Sequence, residues 1–342
     1  MDIVHVVDAL VCSEPGRLHL ESRPAPHNEP GHALVRPRRI GICGTDYHIF
    51  QGKHPFLQYP RVMGHELAVE VADVPAGSPF SPGEICVVNP YVSCGRCVAC
   101  RAGKPNCCVE ISVLGVHRDG GMAGLLSVPA ENLVPADGLT ADECAAVEFL
   151  AIGAHAVRRG SVADGDGVLV VGAGPIGLGV ALFARLAGGK VTVLDRDPER
   201  SAAAQSIVKV QAISAVSDTA RTDGPRAHSD SFDVVFDATG NPKAMEAGFE
   251  YVAHGGRYVL VSVVKDSIMF ADPDFHSKEM TLFGSRNATS EDFAHVIVAM
   301  RAKEVPLHRL ITHRTSLRDA AHNIPVWAAQ KTGIIKALID ID

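Results

Sequence analysis

The chain has 342 residues, 46% hydrophobic and 21% charged, with a formal net charge of −7. That length exceeds what one hydrophobic core sustains, so two domains are expected, and the acidic balance without a lysine–arginine cluster excludes nucleic acid as the main partner. No apolar stretch reaches the roughly 20 residues that span a bilayer, and the start Met1-Asp-Ile-Val-His lacks the basic and apolar regions of a signal peptide. The expectation is a cytoplasmic protein with neither membrane nor nucleic-acid partners, and nine cysteines, an odd number, argue against a disulfide framework.

Up to about residue 148, short β-rich runs such as Ala33-Leu-Val-Arg and Leu67-Ala-Val-Glu-Val-Ala are separated by glycine and proline, the pattern of an antiparallel, turn-rich domain. Two segments inside it carry metal-ligand chemistry: Gly41-Ile-Cys-Gly-Thr-Asp-Tyr-His48 and Gly64-His-Glu-Leu67. The Cys43 thiolate and the His65 imidazole suit zinc, and a catalytic zinc keeps one position open for water or substrate. Glu66 and Glu148 are both candidates for a further ligand. Next comes the run Cys94, Cys97, Cys100, Cys108, spaced C-x2-C-x2-C-x7-C. Four thiolates so close in sequence can close a tetrahedral zinc site that organises a loop and performs no chemistry. A bacterial ferredoxin spacing would put the fourth cysteine after three residues and before a proline. Here Cys108 comes after seven and precedes Val109, so zinc is favoured over iron–sulfur; adjacent Cys107 leaves the fourth ligand open.

From about 149 to 285 helix and strand alternate, and from 286 to 342 the pattern is mixed again. Gly167-Val-Leu-Val-Val-Gly-Ala-Gly-Pro-Ile-Gly-Leu reads as a buried strand, a glycine turn and a helix. Gly172, Gly174 and Gly177 give G-x-G-x-x-G, with Pro175 and Ile176 inside it, and a pyrophosphate would rest on the helix N-terminus. The strand Val191-Thr-Val-Leu ends at Asp195, 18 residues after Gly177, where a carboxylate can accept hydrogen bonds from the ribose hydroxyls. That charge repels a 2′-phosphate and favours NAD over NADP, with Arg196 placed to soften the preference. Further strands are expected at Phe232–Asp237, Arg257–Val263 and Met280–Gly284; the polar stretch Val216 to Asp230 reads as loop.

Taken in order, Gly-Ile-Cys-Gly-Thr-Asp-x-His at 41–48, Gly-His-Glu at 64–66, the cysteine loop at 94–108 and the glycine turn at 172–177 resemble the zinc-dependent medium-chain alcohol dehydrogenases nearly end to end. The nearest branch is that of sorbitol, threonine and related polyol or sugar-acid dehydrogenases. Val-Glu148-Phe-Leu-Ala-Ile-Gly-Ala-His carries the branch assignment, and Tyr59-Pro-Arg-Val-Met-Gly-His-Glu and Leu114-Gly-Val-His-Arg-Asp-Gly-Gly lie closest to L-galactonate 5-dehydrogenase-like members. The resemblance implies an α/β chain: a GroES-like β-rich catalytic domain at 1–148, a Rossmann doubly wound parallel-sheet domain for NAD at 149–285, and a segment at 286–342 returning to the catalytic domain. It also implies two zinc ions per chain and a homodimer or homotetramer.

On that resemblance Cys43 and His65 bind the catalytic zinc with Glu66, Glu148 or both in exchange with water. Asp46 accepts a hydrogen bond from the second nitrogen of His65, and Arg200 supports the adenosine end. The zinc would polarise a substrate hydroxyl so that hydride passes to the nicotinamide, while Thr45 and His48 relay the proton to solvent. Phe50, Arg118, Arg286 and Asn287, with Lys53 and His54, are candidate substrate contacts. Lys53, Arg118 and Arg286 would suit the carboxylate of a sugar acid such as an aldonate. The alternatives are an L-threonine or sorbitol-type polyol dehydrogenase and, from another class, a catalytically silent zinc- and dinucleotide-binding sensor. Three departures from the family pattern stand out: Val69 where Gly-His-Glu-x-x-Gly has its last glycine, Phe149 in place of proline, and Pro37 in a strand, which predicts an edge or bulge.

Overall fold

Apolar residues alternate through His32–Ile42, and the strand they form is the spine of a seven-stranded sheet. The sheet runs Leu133–Pro135, Ile85–Val88, Glu66–Asp73, His32–Ile42, Lys336–Asp340, Ile311–Ser316, with Leu126–Pro129 also paired to the spine. Val35, Ile40, Leu67, Val71 and Ile339 point into the core and are fully buried. Pro37 sits at a register shift between Pro37 and Arg39, a bulge inside an interior strand. There the missing N–H costs no ladder bond, because the ladder is already broken. Opposite it, Val69 is buried in the core. The computed structural model describes residues 6–27, 29–54, 57–214, 230–330 and 333–341.

The chain divides into two compact units: Met1–Glu148 with Thr289–Asp342, and Phe149–Ala288. The tail joins the first unit because Lys336–Asp340 pairs antiparallel with the spine, Leu338 opposite Gly41 and Ala337 opposite Ile42. A cluster of alternating charge fastens the same seam. Arg39 Nε lies 3.2 Å from Asp142 and 2.9 Å from Asp340, and Arg314 pairs with both aspartates, its Nη1 3.0 Å from Asp340.

In the second unit six parallel strands are ordered Gln211–Ser214, Lys190–Asp195, Gly167–Val171, Phe232–Asp237, Val252–Leu260, Thr281–Gly284. The central strand Gly167–Val171 is a continuous apolar run, and its neighbour Phe232–Asp237 buries Val234, Val235 and Phe236, as a sheet buried on both faces requires. Strand order reverses between Gly167–Val171 and Phe232–Asp237, the switch point at which open α/β sheets bind ligands. The strand expected at Arg257–Val263 instead spans Val252–Leu260. It stops early because the N–H groups of Val261 and Ser262 donate to Asp237 O at 2.9 and 3.3 Å, folding the chain over the sheet end. It starts early through His254-Gly-Gly, whose glycines disguise it as a turn in the sequence. Of the stretch expected as loop at 216–230, all but Asp230 lies outside the described residues.

Asp142 holds both arginines of the seam and is about a third exposed. Asp142→Ala is therefore expected to lower stability by about 1 kcal/mol in low salt, with the difference shrinking as salt is added. Urea denaturation at two ionic strengths measures both.

Candidate metal centres and cofactor turn

Cys43 ends the spine and caps the helix Gly44–Phe50, while His65 enters the neighbouring strand Glu66–Asp73. Since Gly41 is paired with Glu66, the two strand ends lie side by side and bring both motifs together. The ligand atoms of Cys43, His65 and Glu66 all fall within 4.8 Å of one another. A Cβ on Gly41 would stand 1.9 Å from Glu66 Oε2, so the glycine leaves the space this carboxylate occupies. His65 Nδ1 is buried without a hydrogen-bond partner, and Asp46 Oδ1 lies 4.0 Å away, beyond hydrogen-bond distance. Asp46 instead accepts from Cys43 N at 2.9 Å and from Gly64 N at 3.3 Å, binding the two motifs through their backbones. Thr45 Oγ1 is 3.7 Å from Cys43 Sγ, and His48 is exposed three residues further along the same helix.

Two buried side chains that the sequence does not single out, Lys336 and Tyr91, complete the surroundings. Lys336 Nζ donates to both oxygens of Glu66 at 2.7 Å and to Ile42 O at 3.3 Å. Glu148, at the start of the helix Val147–Arg159 with Phe149 buried behind it, accepts a hydrogen bond from the Tyr91 hydroxyl. Burial pushes the Glu148 carboxyl up to about 7, Glu66 adding to the effect while His65, Tyr91 and Lys336 oppose it. Burial alone would lower the pKa of Lys336, but Glu66 and Cys43 outweigh it and keep the ammonium charged. His65 follows the same pattern: burial lowers it, and Cys43, Asp46 and Glu148 raise it well above its usual value. A half-buried cysteine sulfur, a buried imidazole and the Glu66 carboxylate within 4.8 Å of one another, with a ring nitrogen left unpartnered, form a donor set that fits zinc, and Glu148 lies outside that group.

The sulfurs of Cys94, Cys97, Cys100 and Cys108 also lie within 4.8 Å of one another, and Cys107 is exposed outside the group. Strands Tyr91–Val92 and Ser112–Val113 clasp the base of this loop. Cys94 N points at Cys108 Sγ at 3.3 Å and Cys100 N at Cys97 Sγ at 3.5 Å, contacts that favour thiolates. The backbone N–H groups of Cys100 and Val109 bring the Cys97 thiol down to about 6, whereas desolvation lifts Cys100 to about 11. These four sulfurs make a closed set that fits a structural zinc.

At the cofactor turn, Gly174 caps the helix Pro175–Leu186, and Ile176 occupies its first turn. Gly177 packs so closely that a Cβ would stand 1.8 Å from Gly172 O. Buried Asp195 accepts from Ala173 N at 2.7 Å and from Asp197 N at 2.9 Å, which orients its carboxylate toward the turn. Arg196 is exposed, and Arg200 Nε lies 3.8 Å from Asp197. Of the candidate substrate contacts, Phe50 and Arg118 belong to the first unit, where Arg118 Nε donates to Ser112 Oγ at 3.1 Å. Lys53 donates to Gln51 Oε1 at 3.0 Å and His54 is half-buried. Arg286 and Asn287 close the second unit, Asn287 with a left-handed φ of 54°.

The β-rich unit with its two candidate metal-ligand clusters and the doubly wound sheet with its glycine turn are the two parts that known protein families match. Residues 29–138 match the alcohol dehydrogenase GroES-like domain and residues 175–302 the zinc-binding dehydrogenase domain. The chain is 39% identical over 340 residues to L-galactonate-5-dehydrogenase of Escherichia coli (strain K12), covering 97% of this chain and 98% of that protein. It superimposes with a TM-score of 0.90 on rspB of Escherichia coli CFT073 complexed with NADH, described as a short chain alcohol dehydrogenase, at 28% identity over 98% and 99% of the two chains. A zinc-binding dehydrogenase of Sinorhizobium meliloti 1021 bound to NADP gives a TM-score of 0.88 at 26% identity, over 98% and 100%. The chain belongs to the zinc-dependent medium-chain alcohol dehydrogenase family, and it is an oxidoreductase of the alcohol dehydrogenase type. No helix among the described residues is long and apolar enough to cross a membrane.

Removing the buried cation at the first centre isolates what it balances. Lys336→Met is expected to destabilise the protein by about 3 kcal/mol, because Glu66 is left buried without its partner, and the added change Glu66→Gln should restore much of the loss. Denaturant unfolding of the two variants checks this.

Proposed function

We propose that the protein is a zinc- and NAD-dependent dehydrogenase that oxidises a secondary hydroxyl of a polyol or sugar acid, with an aldonate such as L-galactonate as the leading substrate. The observation that carries the reading is the convergence of the half-buried Cys43 and the buried His65 and Glu66, whose ligand atoms lie within 4.8 Å of one another. Zinc held there by Cys43 and His65, with Glu66 or Glu148, would act as a Lewis acid on a substrate oxygen. Thr45, on the helix that Cys43 caps, would take the substrate proton while giving its own hydroxyl proton toward the nicotinamide ribose, and exposed His48 would pass that proton on to water. Asp46 keeps the two ligand motifs in register through backbone hydrogen bonds.

For the cofactor, Gly172, Gly174 and Gly177 bring the backbone up to the pyrophosphate, and Asp195 accepts from the adenosine ribose. An ionised carboxylate offers about four acceptor positions, and two backbone N–H groups use only part of them. Its charge disfavours a 2′-phosphate, which supports NAD. The sugar-acid choice rests on the end-to-end relative named for L-galactonate and on the basic residues Lys53, Arg118 and Arg286, whose charge suits a carboxylate.

A panel of aldonates, uncharged polyols and L-threonine, assayed by NADH formation, tests the substrate class. Highest kcat/KM on an aldonate is expected; clear preference for sorbitol or L-threonine would remove the sugar-acid assignment, and no turnover on any would favour a silent sensor. Asp195→Ala should lower the ratio of NAD to NADP kcat/KM at least about tenfold, the equivalent of one charge-assisted hydrogen bond of about 1.5 kcal/mol. Steady-state kinetics with both cofactors measures the ratio.

A further inference from the structure

Tyr91 connects the base of the four-cysteine loop to Glu148, whose charge is felt by His65. It begins the strand Tyr91–Val92 that closes the four-cysteine loop, and its phenol donates to Glu148 Oε1. Its backbone is fixed independently of that bond. Tyr91 N donates to Asn89 Oδ1 at 3.1 Å, Tyr91 O accepts from Asn132 Nδ2 at 3.3 Å, and Tyr91 pairs with Val113 beyond the loop. Asn132 is itself buried and also donates to Asn89 O at 2.7 Å. The residue is 8% exposed, so the hydroxyl is delivered from a packed side chain on a pinned backbone.

Glu66 and Glu148 are therefore held in different ways. Lys336 engages both oxygens of Glu66 from the last strand, whereas Tyr91 engages Glu148 through Oε1 from the base of the cysteine loop. A single hydrogen bond to one oxygen fixes the rotation of a carboxylate without using both of its oxygens, and outer partners of this kind orient metal ligands. We propose that Tyr91 is a positioning residue that holds Glu148 in register with Cys43 and His65 from the closing strand of the four-cysteine loop. The inference rests on the reading that Cys43 and His65 hold a metal, and it extends that reading to a residue outside both ligand sets.

The test uses the full-length protein loaded with cobalt(II), titrated with a chelator in the absence of substrate and cofactor. Visible bands separate a four-thiolate site from a mixed cysteine, histidine and carboxylate site. Tyr91→Phe keeps the ring and deletes the donor. It is expected to leave the four-thiolate bands and the thermal midpoint near those of the wild type, while cobalt at the Cys43–His65 centre is lost to chelator roughly 10- to 100-fold more readily and its bands shift. Against a Glu148→Gln background the same change should have a much smaller effect, since residues acting through one another are non-additive. Unchanged affinity and bands in Tyr91→Phe, or effects that simply add in the double variant, would overturn the proposal. Wild-type protein that takes up cobalt only at the four-thiolate site would instead overturn the metal reading beneath it.

Discussion

Charge burial around His65 is the constraint on which the first unit turns. Asp46, Glu66 and Glu148 are all buried, Glu66 within 4.8 Å of the Cys43 sulfur, and Lys336 supplies the buried ammonium. Buried carboxylates are tolerated only when paired or fully hydrogen-bonded. Each of the three meets that condition differently: Asp46 through backbone N–H groups, Glu66 through Lys336 and Glu148 through Tyr91. A divalent cation bound by Cys43 and His65 would offset the negative charge of the buried carboxylates. The arrangement makes sense as a place prepared for a metal.

The same constraint explains why the chain must return. Lys336 lies on the last strand, and only its pairing beside Ile42 and Gly41 delivers the ammonium to Glu66. The charged seam of Arg39, Asp142, Arg314 and Asp340 fastens that strand on the opposite flank. The C-terminal segment thus completes the site electrostatically as well as completing the sheet. The cysteine loop, by contrast, contributes no ligand to the Cys43–His65 cluster. Its contact with Glu148 runs through Tyr91, on the strand Tyr91–Val92 that is clasped to Ser112–Val113.

What could be read from the sequence was local. The four cysteines, the glycine turn with Asp195, and the Cys43 and His65 motifs each declare their chemistry within a few residues, because the ligands or backbone turns they form are short-range. The family and the α/β architecture followed from their order. Lys336 and Tyr91 were missed because their partners lie 270 and 57 residues away. A lone lysine opening the apolar run Lys336-Ala-Leu-Ile, and a tyrosine just ahead of a metal loop, were the faint signals available. The expected Asp46–His65 hydrogen bond is replaced by a 4.0 Å separation, since nearby backbone donors take up the Asp46 oxygens. The early start of Val252–Leu260 was hidden by Gly255 and Gly256, residues that ordinarily mark a turn.

Metal stoichiometry of the wild type and of Cys43→Ser, with NAD binding measured on the same samples, tests the central claim most directly. The account predicts two zinc ions per wild-type chain, and one in Cys43→Ser, with NAD bound equally by both and NADH formed only by the wild type. A single zinc in the wild type that persists unchanged in Cys43→Ser would contradict it, leaving the four cysteines as the sole metal site and the Cys43–His65 cluster without its proposed chemistry.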